Sequence, residues 1–331
     1  MVTIRDVAKA AGVSVATASR ALNGLSVVTA KTREKIEAAA EELHYVPHSG
    51  ARSLTRRKTD TIGVILPDLF GEFFSEIIRG IDIVTHGAGK NLLLGNMHGS
   101  ADETGLAIRA MRGRVDGLLV MPPNSRADNI QGVTRDIPTV LINAPAGDGS
   151  TPYVAVDNYA GARLVTEHLI DRGASSIVHI AGPSGNRDAR ERQRGFSDVL
   201  LERLGESSPF IMPGDFREDA GRKAAQLLLN GDIPFDAVFA GNDIMAVDFM
   251  AEMRASGREI GRDLLVAGFD DIPLARYVSP GLTTVHSDIT RLGSTAALIM
   301  LRMMKGEQLG QDDSLVIAPT LAVRGSTVGC E

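Results

Sequence analysis

Several residue types that define other protein classes are scarce in this sequence. Cys330 is the only cysteine among 331 residues, so no disulfide can form within the chain, which favours a reducing compartment. Tryptophan is absent, and aromatic residues make up 4%. No apolar run reaches the roughly 20 residues that cross a bilayer. The first residues, Met1–Asp6 (MVTIRD), carry charges where a secretory signal needs an apolar segment. We therefore expect a cytoplasmic protein with no membrane partner.

Motifs for nucleotide, metal or nucleophile chemistry are missing as well. The segment Gly87–Lys90 (GAGK) lacks the upstream glycine and the following Ser or Thr of a Walker loop. In Gly182–Asn186 (GPSGN) a glycine directly follows the serine, unlike a nucleophile elbow. His44 and His48 are four residues apart, but Pro47 breaks the helical face that a metal-binding pair needs. We expect no metal, no cofactor and no enzymatic activity.

The length and the distribution of charge favour several domains with different partners. A chain of 331 residues exceeds a single small core, so two or three domains are expected. Residues 1–60 contain ten Lys and Arg against six Asp and Glu, whereas the remainder holds 25 basic and 35 acidic residues, out of chain totals of 35 and 41. A basic segment on an acidic body favours phosphate contact by that segment, although a solvated basic face is the simpler alternative.

The first 46 residues contain three helical patterns, which cover residues 4–11, 14–22 and 31–43. Thr3 and Asp6 can form a capping box at the start of the first. After a turn at Gly12, Ser14 can cap the second. Two short helices joined by a glycine turn, with a third as support, are typical of a helix-turn-helix DNA-binding domain.

The second pattern predicts a helix with distinct inner and outer faces. Its inner residues are Ala18, Ala21 and Leu22, its outer residues are Val15, Ala16, Ser19 and Arg20, and Thr17 lies at the flank. Arg20 can donate two hydrogen bonds to guanine O6 and N7, a contact that discriminates between bases by about 1–3 kcal/mol. Val15 and Ala16 can contact thymine methyl groups. A plain helical bundle with a solvated Arg20 fits the pattern equally well.

The segments TIRDVAKAAGVSVATASRALNG (residues 3–24) and VTAKTREKIEAAAEELHYVPH (residues 28–48) closely resemble the headpiece of the lactose-repressor/galactose-repressor family. The resemblance implies that Val15, Ala16 and Arg20 read bases. It implies backbone contacts by Ser14, Thr17, Ser19, Asn23 and Thr32. It also implies double-stranded operator DNA as a partner, a near-palindrome centred on a CG step that is bound by a homodimer.

Residues 47–60 form a linker by composition, and a short helix from about Pro47 to Arg56 is predicted. In the family this hinge folds on operator DNA, and a leucine wedges into the central base step of the minor groove. Leu54, in the segment ARSL, matches that leucine. An ordinary exposed leucine is the alternative interpretation.

Gly50 departs from the family, in which an apolar residue packs one hinge against the other. Glycine lowers helix stability by about 1 kcal/mol relative to alanine, so we predict a softened hinge. The substitution Gly50→Ala should tighten operator binding. An unchanged affinity in a DNA-binding titration would contradict this prediction.

From Thr61 onward, short apolar runs alternate with amphipathic helices. The runs are Ile62–Leu66, Leu92–Leu94, Gly117–Met121, Thr139–Ile142, Ile177–Ala181, Ala237–Ala240, Leu264–Gly268 and Leu282–Val285. Such runs predict strands buried on both faces of parallel sheets. The predicted fold class is α/β, with two doubly wound lobes, and ligands of such sheets bind beyond the carboxyl ends of the strands.

The body also resembles the rest of the same family, which shares its two-lobed fold with periplasmic sugar-binding proteins. The matching segments are GVILPDLFGEFFSEIIRGI, VDGLLVMPP, VAVDNYAGA, RQRGF, AGNDIMAVDFM, VAGFDDIPLARYVSPGLTTV and RLG, in the expected order. The resemblance implies a headpiece at 1–46, a hinge at 47–60, a first lobe at 61–157 and 290–325, and a second lobe at 158–289.

The same comparison nominates ligand-binding residues in the cleft between the lobes, namely Asp68, Phe73, Phe74, Asn143, Arg192, Phe216, Asn242, Asp243 and Asp270. Carboxylates and an arginine around aromatic faces suit a polyhydroxylated ring, so a sugar is the expected ligand. Asp243 could instead cap a helix, and Phe73 or Phe74 could belong to the core. Because tryptophan is absent and Ile289 replaces an aromatic residue of some relatives, a purine ligand stays open.

The sequence therefore predicts a transcriptional regulator, a repressor of carbohydrate-metabolism genes, that is controlled by a small ligand. A stand-alone sugar-binding protein would leave the headpiece and hinge unexplained. The resemblance leaves the sign of control and the identity of the ligand open. No leucine-rich tail follows VRGSTVGCE, so a dimer is expected rather than a tetramer.

Overall fold

The computed structural model describes residues 2–23, 27–46, 58–98, 101–122, 128–144, 151–231 and 233–328. The chain divides into two compact units, with the boundary between Asp60 and Thr61. The predicted hinge helix, with Gly50 and Leu54, lies outside the described residues, and its predictions stand as made.

The first unit contains the three predicted helices, Ile4–Ala10, Val15–Leu22 and Ala30–Glu42. The backbone N–H of Thr3 donates to the Asp6 carboxylate at 2.8 Å. The Ser14 hydroxyl accepts from the backbone N–H of Thr17 at 3.1 Å. The third helix begins one residue before the predicted start because the Thr29 hydroxyl caps it.

The apolar stripes of these helices form one small core of mainly short side chains. Its buried members are Val7, Ala8, Ala11, Ala18, Ala21, Val28, Ile36, Ala39 and Ala40, with Leu22 and Leu43 packed against them. Alanine at the contacts lets the helix axes approach closely, so a unit of this size can bury a continuous core.

The second unit contains twelve strands among its described residues. They are β1 Thr61–Leu66, β2 Asn91–Asn96, β3 Gly117–Val120, β4 Thr139–Ile142, β5 Tyr153–Val156, β6 Ile177–Ile180, β7 Phe210–Met212, β8 Ala237–Ala240, β9 Leu265–Asp270, β10 Thr283–His286, β11 Leu315–Ile317 and β12 Thr320–Ala322. One sheet has the order β11-β5-β4-β3-β1-β2, and the other has the order β12-β10-β9-β8-β6-β7. All neighbouring strands are parallel except β10 and β12, which are antiparallel.

Helices connect the strands, as parallel pairing requires. They are Glu72–Gly87, Ala101–Met111, Asp128–Thr134, Asn158–Asp171, Arg187–Leu204, Glu218–Asn230, Asp243–Ala255, Leu274–Tyr277, Ile289–Met304 and Gly325–Val328, with a 3₁₀ turn at Gln311–Asp313. In the part of the chain that the structure describes, no helix combines the length and apolarity needed to cross a membrane.

The late helix Ile289–Met304 packs on the first sheet beside Glu72–Gly87, far earlier in the chain. Two glycines permit this packing. A Cβ on Gly80 would lie 2.1 Å from the Thr290 carbonyl oxygen, and a Cβ on Gly293 would lie 2.2 Å from that of Ile77. Any larger residue at either position would push the two backbones apart.

The chain crosses between the two sheets three times. It leaves the first sheet after Val156, returns to it between His286 and Ile289, and leaves again between Ile317 and Thr320. The backbone N–H of Asp157 donates to the carbonyl of Ile317 at 3.0 Å, which ties the first crossing to the third. The crossings form the junction about which two such lobes can rotate.

All eight predicted apolar runs are strands, and the structure adds four further strands, β5, β7, β11 and β12. β7, β11 and β12 have only three residues each and lie at or next to sheet edges. β12 pairs in the second sheet, although the resemblance assigned residues 290–325 to the first lobe. β12 follows the third crossing and pairs with β10 in the second sheet. This pairing depends on tertiary structure, so the sequence pattern did not indicate it. The domain limits themselves remain a prediction.

Candidate functional site

The outer face of the helix Val15–Leu22 is exposed, as the sequence predicts. Val15, Ala16 and Arg20 are exposed, whereas Ala18 and Ala21 on the opposite side are buried. The face therefore presents one guanidinium and two small apolar side chains to solvent. These are the groups that read guanine and the thymine methyl in a major groove.

Small polar side chains flank this face. The Ser14 and Thr17 hydroxyls lie 2.8 Å apart at its amino end, and the Asn23 amide lies 3.4 Å from the Ser19 hydroxyl at its carboxyl end. The Thr32 hydroxyl lies 2.9 Å from that of Thr29 at the start of the third helix. Hydroxyls and backbone N–H groups at helix amino ends are common phosphate contacts.

In the body, Arg192 is the centre of a buried polar network. It projects from the helix Arg187–Leu204 and is 5% exposed. Its Nε donates to the Asn158 side-chain oxygen at 2.8 Å, and its two terminal nitrogens donate to the Gly241 carbonyl at 2.5 Å and to Asp270 at 3.1 Å. Three of its five N–H groups are used in this way, so two have no partner among the described residues.

Aromatic rings and glycines complete the surroundings of Arg192. Its guanidinium carbon lies 3.7 Å from the centroid of the Phe269 ring and 5.5 Å from that of Phe216. The Phe216 ring packs so closely on Gly182 that a Cβ there would lie 2.2 Å from it. A larger residue at position 182 would displace the ring. In the GPSGN segment, Gly182 is therefore the residue that leaves space for Phe216.

Asp270 is held at the end of β9 in a strained backbone conformation, with φ at 114°. The next residue anchors it. Asp271 is buried and accepts from Arg324 at 2.6 Å and from Arg276 at 3.4 Å, and its carboxylate also lies 2.9 Å from His286 Nδ1. These contacts fix the turn that aims Asp270 at Arg192.

Two carboxyls of the cleft are less acidic than usual. Burial raises the pKa of Asp270 to about 6, against the opposing attraction of Arg192. Burial likewise raises the pKa of Asp188 to about 6, although Arg192 and Arg187 lower it in part. Asp188 also hydrogen-bonds to the Asn143 side chain, which follows β4 in the first lobe.

Asn242 and Asp243 have partners within the second lobe. Asn242 caps the helix Asp243–Ala255 by accepting from Met245 at 3.1 Å, and its amide donates to the Phe216 carbonyl at the same distance. Asp243 accepts from the backbone N–H of Ile272 at 2.9 Å and from the Thr284 hydroxyl. Burial raises the pKa of Asp243 well above its usual value. These bonds make Asp243 a link between strands, and its contact with a ligand remains a prediction.

The three other residues nominated in the first lobe, Asp68, Phe73 and Phe74, lie after β1. Asp68 accepts from the backbone N–H of Leu69 at 2.7 Å, and its second oxygen is 3.9 Å from Arg217 of the second lobe. Phe73 and Phe74 meet edge to face with centroids 5.3 Å apart. Both are half-buried and pack against the main hydrophobic core, so the structure does not single out one of them as the ligand-facing ring.

The structure adds two residues that sequence reasoning did not nominate. Asn158 bonds directly to Arg192, and Asp188 lies one helical turn before it. Both fall in or near segments that carry the family resemblance, VAVDNYAGA and RQRGF. The signal that could have found Asp188 is its i, i+4 spacing from Arg192, which places both on one helix face. Across the described residues, no group of His, Cys, Asp and Glu has the arrangement of a metal site.

Comparison with known proteins identifies this combination of units. Residues 3–48 match the model for bacterial regulatory proteins of the lacI family, and residues 166–327 match that for a periplasmic binding protein-like domain. The ribose operon repressor of Halalkalibacterium halodurans is 35% identical over 336 residues, covering 100% of this chain and 98% of that protein. The PurR repressor of Photobacterium profundum is 35% identical over 92% of each chain.

Solved structures agree with the sequence comparison. The Lac repressor dimer bound to operator and the anti-inducer ONPF superimposes with a TM-score of 0.88 at 29% identity, covering 99% of each chain. A lacI-family regulator from Enterococcus faecium with bound ribose superimposes with a TM-score of 0.73 at 25% identity, covering 82% of this chain and 100% of that one. With a relative 35% identical along its whole length and a matching headpiece, this chain belongs to the lacI family of bacterial regulatory proteins.

Proposed function

We propose that the protein is a sequence-specific transcriptional repressor of carbohydrate-metabolism genes, and that a small sugar bound between its lobes controls its affinity for operator DNA. One observation supports the proposal most directly. A single chain of this family has both an exposed face with Val15, Ala16 and Arg20 and a buried Arg192–Asp270 pair in the cleft. The first suits base recognition, and the second suits recognition of adjacent hydroxyls.

Ribose is the first sugar to test. The relative from H. halodurans is named a ribose operon repressor, and the E. faecium regulator was solved with ribose. A pentose offers several adjacent hydroxyls that can both donate to Asp188 and Asp270 and accept from Arg192. A purine is the second candidate, because PurR of P. profundum is equally similar in sequence, and Phe216 offers a ring face for stacking.

The operator complex is proposed to contain two copies of the chain. Two recognition helices must reach successive major grooves about 34 Å apart, which a homodimer on a near-palindrome achieves. Ser14, Thr17, Ser19, Asn23 and Thr32 would contact phosphates, and Leu54 would wedge into the central CG step. Such a regulator works beside the chromosome in the cytoplasm and has no catalytic role.

Two measurements on the full chain test this function. Thermal-shift assays with ribose, other pentoses and purine bases should identify the ligand by a raised melting temperature. Gel shifts with a palindromic duplex selected from random sequence should then show a change in operator affinity when that ligand is added. Failure to prefer any selected duplex over random DNA, with and without ligand, would refute the proposed function.

The affinity for ribose should fall in mildly acidic solution. The pKa values of Asp188 and Asp270, both raised to about 6 by burial, place their protonation just below neutral pH. A protonated carboxyl no longer accepts a hydroxyl hydrogen bond on both oxygens, so binding favours the ionised forms that dominate above pH 6. Calorimetry from pH 5 to 8 should show constant affinity above pH 7 and a loss of up to about tenfold per pH unit for each group below 6. A flat profile would contradict ligand binding through two carboxylates with raised pKa values.

A further inference from the structure

The crossing from the first lobe to the second is connected to the cleft through the buried side chain of Asn158. Asn158 is the first residue of the helix Asn158–Asp171, two residues after the end of β5, and it is 5% exposed. Its oxygen accepts from Arg192 Nε at 2.8 Å, and its nitrogen donates to the carbonyl of Val156 at 3.2 Å. The amide therefore links the candidate ligand-binding arginine to the last residue of a first-lobe strand.

A second amide holds the other side of the same residue. The backbone N–H of Val156 donates to the Asn143 side-chain oxygen at 3.2 Å, and the Asn143 side chain also bonds to Asp188. Both backbone groups of Val156 are thus held by asparagines. Each asparagine in turn contacts a charged residue, Asp188 or Arg192, on one face of the helix Arg187–Leu204.

The conformation of this crossing is the part that lobe rotation must change. Asp157 adopts φ −75° and ψ 84°, outside both the helical and the extended ranges. Its backbone N–H donates to Ile317 at the third crossing. Strand β5 pairs within the first sheet, whereas the helix Asn158–Asp171 packs against the helix Arg187–Leu204 of the second lobe. Rotation of one lobe against the other requires new backbone angles at such junctions.

We propose that Asn158 is a positioning residue that couples the state of Arg192 to the first lobe crossing, and so to the separation of the lobes. The inference rests on the proposed function, because it takes the ligand to bind at Arg192. A ligand hydroxyl that accepts a hydrogen bond from the Arg192 guanidinium alters the bond between Arg192 and Asn158. The Asn158 amide, which also bonds to the Val156 carbonyl, then favours one backbone geometry of Val156 and Asp157. A coupling residue of this kind changes the response to ligand more than the affinity for ligand.

The substitution Asn158→Asp tests the two hydrogen bonds of Asn158 separately, the one from Arg192 and the one to the Val156 carbonyl. The carboxylate still accepts from Arg192 Nε, but it has no N–H to donate to the Val156 carbonyl. Asn230→Asp makes the same chemical change on an exposed helix end of the second lobe and serves as the control. For each full-length protein, ribose affinity is measured by calorimetry and operator affinity is measured with and without saturating ribose.

We expect Asn158→Asp to bind ribose within about threefold of the wild type, while the ligand-induced change in operator affinity falls to less than twofold. The control should keep the wild-type ratio. Retention of the full ratio by Asn158→Asp would overturn the coupling role. A loss of ribose affinity with an unchanged ratio would also overturn it, because Asn158 would then act only in ligand contact. If the wild type itself shows no ribose response, the proposed function has failed instead.

Hydrogen–deuterium exchange on the wild type gives a test that does not depend on a variant's folding. Saturating ribose should change the exchange rate of the segment covering residues 153–160 at least fivefold, while the headpiece core around Ile36 serves as an internal reference. Unchanged exchange in this segment, in protein shown to bind ribose, would refute the proposal.

Discussion

Replacement of Arg192 by alanine is expected to abolish the response to ligand while sparing operator binding. The side chain supplies three buried hydrogen bonds and lies 3.7 Å from the Phe269 ring centroid. A ligand that bonds to its remaining N–H groups would lose at least two charged hydrogen bonds, each of about 1.5–3 kcal/mol, which corresponds to an affinity loss of at least about 100-fold. Calorimetry with ribose, and gel shifts with and without ribose, measure the two effects.

The Arg192→Ala variant needs matched controls because it removes the cation that pairs with the buried Asp270. Removing one partner of a buried ion pair costs about 3–5 kcal/mol of stability. Arg192→Lys keeps the positive charge but loses the planar fork, so it should fold and still lose most of the affinity. Arg203→Ala removes an exposed arginine of the same helix, which pairs with Asp171 at 2.8 Å. A fully responsive Arg192→Lys protein would remove Arg192 from the ligand site.

The second large effect is expected from Arg20→Ala in the headpiece. Arg20 is exposed and stands on the outer face of the helix Val15–Leu22, so its removal should leave the melting temperature unchanged. Loss of a two-pronged contact to guanine costs about 1–3 kcal/mol in each half-site, or roughly 5–150-fold. The preference for a selected operator over the same duplex with that guanine replaced should disappear.

Base reading by Arg20 and simple attraction of its charge to DNA differ in their effect on sequence preference, not in their effect on affinity alone. Lys9→Ala also removes one exposed positive charge from the headpiece. It should weaken binding to all duplexes by a similar factor, with a shallower salt dependence and an unchanged preference. If Arg20→Ala behaves like Lys9→Ala, base reading by Arg20 is excluded.

The tight tertiary contacts of the body explain why ligand control can be built around one arginine. Asp270 reaches Arg192 from the end of β9, because the ion-paired Asp271 fixes the strained turn. Asn158 reaches it from the first crossing, and the Gly241 carbonyl reaches it from the end of β8. Three elements distant in sequence thus converge on one guanidinium, and the proposed coupling to the junction between the lobes depends on this convergence.

The sequence by itself determined the secondary structure of the headpiece and most of the body. Capping residues such as Ser14 and buried apolar runs such as Ile62–Leu66 act within a few residues, so their effects can be read locally. Arg192 and Asp270 were also within reach, because the motifs RQRGF and GFDD carry a specific resemblance to one family.

Only the tertiary structure decided which polar groups meet. Arg192 and Asp270 are 78 positions apart in the sequence, and Asn158 and Arg192 are 34 apart. The pairing order of the strands brings them together, and no local pattern in the sequence points to that order. The same holds for β12, whose three residues are too few to carry a periodic signal and which gains its place by pairing with β10. Local propensity determines whether a segment forms a helix or a strand, but burial in a shared core determines which elements lie next to each other. The polar contacts of this cleft are made between such neighbouring elements.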